Sequence, residues 1–185
     1  MSILSELPLR QKILLSVTIL TGLFIVFAYY EILFSQESLN MFILFYGICV
    51  PMFLLSMDTL IDLDNKKIFS IWTIVAIIFL FVFYITKGNP ELIIHRSSKF
   101  NPNGINKYLS DSCTTPLKAL PTFLIFYLFF NSIVKAKTGN FIVNTFRQND
   151  MYNDIAKRKI YWYDILTTFT LLGIIIFVSL FEFKN

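Results

Sequence analysis

Charge is scarce in this sequence, and residues that build metal or nucleophile sites are scarcer still. Charged residues make up 15% of the chain, against about 25% in soluble domains. There is one histidine, and the two cysteines, Cys49 and Cys113, form no CxxC and no Cys/His cluster. That excludes a structural zinc site, and no other metal or cofactor is expected. Cys49 falls in an apolar run and Cys113 in a polar loop, so the two are expected at different depths. Bridging them would need Cα atoms within about 7 Å, and no disulfide is expected. Although the net charge is +4, no basic patch stands apart from the apolar runs, which argues against nucleic-acid binding. Internal repeats and low-complexity linkers are absent.

What the chain has instead is apolar length. Of its 185 residues 56% are hydrophobic and 17% aromatic, with 21 Phe, more than one soluble core of this size would hold. Five runs, 12–34, 39–61, 68–86, 118–134 and 160–181, reach or approach the roughly 20 apolar residues that cross a bilayer as a helix. The expected fold class is an all-α integral membrane protein: a single five-span transmembrane helical bundle covering 1–185. The connections are a tight turn at 35–40, a short turn at 62–67, a long loop at 87–117 and a polar-rich segment at 137–159. Asn89-Pro90 and Thr115-Pro116 read as helix starts, and Gly139 as a helix stop. Gly47 and Pro51 lie mid-span in the second run, where Pro51 predicts a kink.

The stretch 137–164 mixes Arg147, Lys157, Arg158 and Lys159 with Phe141, Phe146, Tyr152, Tyr161, Trp162 and Tyr163. Cations that meet headgroups and rings that sit at the boundary suit a membrane–water interface. The pattern predicts an interfacial helix between spans 4 and 5, over 141–148, then a second helix running from Met151 into the fifth span.

With five spans, alternate connections share a side. Arg10, Lys12, Lys66, Lys67, Lys135, Lys137, Arg147, Lys157, Arg158 and Lys159 fall on one side. Lys87, Arg96, Lys99, Lys107, Lys118 and Lys184 fall on the other. The positive-inside rule places the richer side in the cytoplasm. The expectation is a multi-pass protein, of the plasma membrane in a bacterial cell, with the N-terminus inside and the C-terminus outside.

The candidate catalytic residues are Asp58, Asp62 and Asp64. Asp58 and Asp62 are four apart and would share a face of one helix. Paired carboxylates can hold Mg²⁺ beside a phosphate, or one can act as a base. The alternative is that they mark a span's end and neutralise nearby cations, with Asp58 inside the span requiring a partner or water. The phrase Ile61-Asp62-Leu63, with Ile68 six residues after Asp62, resembles the first aspartate site of the type IV prepilin peptidases. Phe69 and Ser70 stand where that family has Pro and Asn, and its second motif, Gly-x-Gly-Asp, does not occur in this chain.

Candidate binding residues are Asn131, Lys135, Arg147, Arg158 and Asp164, expected in the same layer as Asp58. They would either fix the bundle by interhelical hydrogen bonds or form a phosphate site. On the other side, His95, Arg96, Lys99, Asp111, Ser112 and Cys113 share one loop. A Cys with a His invites thiol chemistry, as in exosortase-type transpeptidases, but here His95 precedes Cys113, and no His follows. The loop therefore reads as surface, with its cations meeting lipid phosphates.

Three functions stay open. The first is a non-enzymatic accessory subunit that binds lipid or a membrane protein, including a second copy. It should show an apolar groove between spans. The second is an enzyme acting on lipid-linked phosphate groups, which needs acids and arginines converging on one pocket. The third is a small transporter or channel, which needs polar residues at mid-depth, where the first, third and fifth spans offer little beyond Thr21, Thr73 and Thr170.

Overall fold

A computed structural model describes residues 7–31, 35–56, 59–87, 89–92, 112–143, 145, 152–153 and 158–181. Five helices in it are long and apolar enough to cross a membrane. They are α1 (Leu9–Glu31), α2 (Gln36–Ser56), α3 (Lys66–Thr86), α4 (Ala119–Thr138) and α5 (Trp162–Leu180). Their bounds follow those read from the apolar runs within about a turn, except at the end of α2. Two ends can be named for the bundle, the Arg10 end and the Tyr29 end.

The helix stops have local causes. α2 does not run to the expected 61, since residues 59–61 form a turn. The Thr59 hydroxyl donates to the carbonyls of Leu54 (2.7 Å) and Phe53 (3.4 Å), capturing acceptors that a further turn of helix would have used. The chain then tightens into a 3₁₀ turn, Asp62–Asp64. Asp62 lies in this turn and not in α2; the expectation that it shares a helix face with Asp58 falls on a residue outside the described ones. Asn65 caps α3, its side chain accepting from the Lys67 N–H at 2.9 Å. Gly139 closes α4 in the left-handed region, at φ 71°.

Thr115-Pro116 does start a helix, first as a 3₁₀ turn, Thr115–Lys118, that runs into α4. This turn is the centre of the bundle, touching α2, α3 and α5. Thr115, Pro116, Leu117, Ala119, Leu120, Phe123 and Tyr127 are all buried. The approach to α2 is made at Gly47, where a Cβ would lie 2.8 Å from the Pro116 carbonyl carbon. Only glycine admits a backbone that near. Around this centre Leu54, Leu55, Leu63, Trp72, Phe79, Leu171 and Ile175 complete one core. α1 joins this core through Leu14 and Leu15 and packs chiefly on α2. Leu9, Ile13, Val17, Leu20, Phe24 and Phe27 leave one whole face of α1 exposed. Many Phe also face outward, among them Phe45, Phe81, Phe129, Phe169 and Phe177.

The connection from α4 to α5 differs from its prediction. Phe141–Val143 and Thr145 are not helical, and Tyr152–Asn153 pairs antiparallel with Arg158–Lys159. The helix expected to run on from Met151 therefore begins only at Trp162. Its start is fixed by Asp164, at the third position, accepting from the Tyr161 N–H at 3.0 Å. The remainder of the expected interfacial helix lies outside the described residues.

Candidate functional site

At the Arg10 end, residues from α1 and α4 meet two carboxylates of the turn after α2. Asp62 takes a two-pronged ion pair from Arg10, with Nε to Oδ2 at 2.6 Å and Nη2 to Oδ1. Guanidinium geometry favours such a fork. Gln11, one residue on and buried, uses its whole amide. Its Nε2 donates to Asp62 (3.0 Å) and to the Thr59 carbonyl (3.3 Å), and its Oε1 accepts from the Trp72 indole N–H at 2.8 Å. This set ties α1 to the turn and to α3, and satisfies the polar atom of a fully buried Trp.

Asp64 faces the other way. It pairs with Lys135 and accepts from Asn131 Nδ2 at 3.1 Å. Asn131 then passes the contact on, its Oδ1 accepting the Ile142 N–H at 3.1 Å. Asp164, with no exposed surface, accepts the Val143 N–H at 3.2 Å. Two buried polar side chains thus satisfy the backbone of a segment that leaves α4 without secondary structure, and the Ile142 side chain joins the core. Tyr127 donates to the Leu60 carbonyl at 3.1 Å, closing the same layer.

The residues read from sequence therefore meet only in part. Asn131, Lys135 and Asp164 meet in one layer with Asp64; Asp58, expected there, lies outside the described residues. Asp62 and Asp64 belong to separate ion pairs on opposite sides of their turn, so they do not form a paired-carboxylate site. Arg158 lies in the strand pairing opposite Asn153. Arg147, like His95, Arg96, Lys99 and Asp111, lies outside the described residues. Arg10, Gln11 and Trp72 were missed as site residues. The signal for Arg10 was its position, a cation at the start of a span whose neighbour ends in carboxylates. Nothing in the sequence links Gln11 to Trp72 across 61 positions.

The Tyr29 end is held by one turn, Pro90–Leu92. The Glu91 carbonyl accepts from Gln36 (2.9 Å) and Asn40 (3.0 Å) on α2, and the Glu91 carboxylate accepts from the Tyr29 hydroxyl on α1 at 2.8 Å. The Cys113 N–H donates to the Leu92 carbonyl at 3.0 Å. Cys113 is fully buried, with Ala28, Leu39, Ile43 and Leu92 around it. This corrects its reading as an exposed loop thiol. Burial pushes its pKa up to about 12, so the reactive thiolate is suppressed.

Beside this clip, between the second halves of α1 and α3, runs an apolar groove of about 490 Å³. Gly22, Val26 and Tyr30 form one wall, Ile78, Val82 and Ile85 the other, and Ile43, Tyr46 and Leu117 the floor. Gly22 leaves room for the Tyr46 ring, whose hydroxyl donates to the Thr18 carbonyl at 2.7 Å. Among the described residues its polar groups gather toward one end, from Tyr29, Tyr30, Thr86, Asn89 and Thr114, with the Tyr46 hydroxyl apart from them near Gly22. The volume lies within the roughly 300–1,000 Å³ of small-molecule sites. Sequence reasoning foresaw such a groove for an accessory protein but could not say which spans would form it.

No family model, curated protein or solved structure matches the chain. The class its fold defines is a bundle with five helices able to cross a membrane.

Proposed function

We propose that this chain is a multi-pass membrane protein, N-terminus in the cytoplasm and C-terminus outside, that works as a non-enzymatic accessory subunit by holding a membrane lipid. The groove between α1 and α3 carries this reading. Both walls belong to helices whose length suits the hydrocarbon layer, and Val26, Tyr30, Val82 and Ile85 are exposed along its lips. In a bilayer the molecule able to enter such a groove from the side is an acyl chain. Dispersion contacts and shape favour a chain that fills it over a gap that nothing fills.

The reading as an enzyme on lipid-linked phosphates would use Asp62 and Asp64 with Arg147 or Arg158. The closed pairs Arg10–Asp62 and Lys135–Asp64 weigh against it, since a Mg²⁺ or phosphate would first have to break them. Transport gains no support from the mid-depth threonines Thr73 and Thr170, whose hydroxyls donate to carbonyls of their own helices.

Native mass spectrometry of protein extracted in mild detergent tests the proposal. Wild type should carry a retained phospholipid. Val82→Trp, which places a large ring in the groove without touching either polar end, should lose it while keeping its thermal stability. Equal retention by the two proteins would refute the groove as the lipid site.

A further inference from the structure

Among the described residues the groove is lined mostly by apolar side chains, the Tyr46 hydroxyl is taken up by the Thr18 carbonyl, and the other polar groups gather at the Tyr29 end, so a lipid occupant lies with its headgroup there. The chemistry of that end then selects among headgroups. Two features bear on it. The Glu91 carboxylate, on an exposed residue, is fixed beside the groove by the Tyr29 hydroxyl, and Asn89 Oδ1 accepts the Glu91 N–H at 3.0 Å. A carboxylate has about four acceptor positions, and Tyr29 fills one. The second feature is Tyr30. It stands edge-on to Tyr29 with ring centroids 5.5 Å apart and lines the groove, 76% exposed. Its face can receive a cation. An anionic acceptor beside an open aromatic ring favours a positively charged head.

We propose that the groove selects a phospholipid whose headgroup ends in an ammonium, with the ammonium donating to Glu91 and packing against Tyr30. This rests on the reading of the groove as a lipid site. The turn that carries Glu91 is anchored by its own carbonyl to Gln36 and Asn40 and by Leu92 to Cys113. The carboxylate is thereby held in place before a ligand arrives, which lowers the ordering cost of binding. A primary ammonium can make charge-assisted hydrogen bonds to the carboxylate. A quaternary ammonium keeps only the charge and the ring contact. A head carrying hydroxyls on a net negative phosphate would face Glu91 with like charge.

The order of preference is therefore phosphatidylethanolamine first, phosphatidylcholine second and phosphatidylglycerol last. The test reconstitutes full-length protein with each lipid in equal amounts and reads occupancy by native mass spectrometry. Phosphatidylethanolamine should exceed phosphatidylglycerol by about tenfold, the ratio expected for one charged hydrogen bond. Glu91→Gln should shrink that ratio to about twofold, since a neutral amide supports only the weaker bond. Tyr29→Phe, which frees the carboxylate to turn away, should shrink it less.

Equal occupancy by all three lipids on wild type would overturn the headgroup assignment and leave the groove reading standing. So would an unchanged preference in Glu91→Gln. Undiminished lipid on Val82→Trp would instead remove the groove, and with it this inference.

Discussion

The two ends of the bundle are fastened in different ways. At the Arg10 end, charged and buried polar side chains join four helices: Arg10 and Gln11 of α1, Trp72 of α3, Asn131 and Lys135 of α4, and Asp164 of α5 converge on one turn and its neighbours. At the Tyr29 end one short turn accepts mostly neutral bonds through its backbone, and α1 and α3 are left apart with a groove between them. Carboxylates here mark the place where the fold is closed. Beside the candidate binding surface the carboxylate of Glu91 is held by a neutral hydroxyl, that of Tyr29.

That contrast can be tested at each end, and the largest effect belongs to the thiol. Cys113 is buried within the Tyr29-end clip with its pKa pushed up to about 12. A maleimide should label it at neutral pH at least about a hundredfold more slowly than an exposed thiol of ordinary pKa near 8.5. Because the thiolate reacts, the rate should climb as pH rises toward the thiol's pKa. Fast labelling of Cys113 in folded protein would show that the clip is open.

At the Arg10 end the largest loss should come from Asp164→Ala. It leaves the buried Val143 N–H without this acceptor, at about 1–3 kcal/mol, and removes a part-buried bond from the Tyr161 N–H as well. A fall in thermal midpoint should be plain in detergent, with Asp164→Asn milder. An unchanged midpoint would mean that the α4–α5 connection is not held there.

Arg10→Ala should cost less, about 2 kcal/mol. Breaking a buried pair costs about 3–5 kcal/mol, and the Arg10 side chain is 31% exposed, which discounts that figure. The exchange Arg10→Asp with Asp62→Arg should recover part of the loss if the pair only joins helices. Lys135→Ala, at a side chain 43% exposed, should cost under about 1 kcal/mol. A loss larger than that of Arg10→Ala would reverse the ranking of the two pairs.

Much of this architecture was legible in the sequence. Apolar runs of span length are strong signals, and Thr115-Pro116 and Gly139 announced the start and stop of α4 because their backbone preferences are local. Less legible was any feature that depends on a side chain reaching across the fold. Thr59 stops α2 early by bonding to carbonyls behind it. The Arg10–Asp62 pair joins positions 52 apart. Asn131, Lys135 and Asp164 were grouped by their depth in the runs, and the acid set beside Asn131 and Lys135 is Asp64, since depth alone does not fix which way a turn points its side chains. Cys113 looked like a surface residue because its neighbours Asp111 and Ser112 are polar. Its burial comes from Leu39 and Ile43 of α2 and from Leu92, which close over it. The segment after Gly139 looked amphipathic enough for a helix. Its first residues instead give their N–H groups to Asn131 and Asp164, and two side chains thus do locally what a helix would have done.

Where a bound lipid lies bears most directly on the account. A phospholipid with a photoactivatable group in its acyl chain, added to native membranes and irradiated, should mark peptides from Gly22–Tyr30 of α1 and Ile78–Thr86 of α3. Val82→Trp should abolish that labelling, and the Arg10–Asp62 exchange should leave it intact. Adducts concentrated instead around Asp62, Asp64 and Lys135 would contradict the division between a fastened end and a binding end. So would labelling spread evenly over the exposed faces of all five helices.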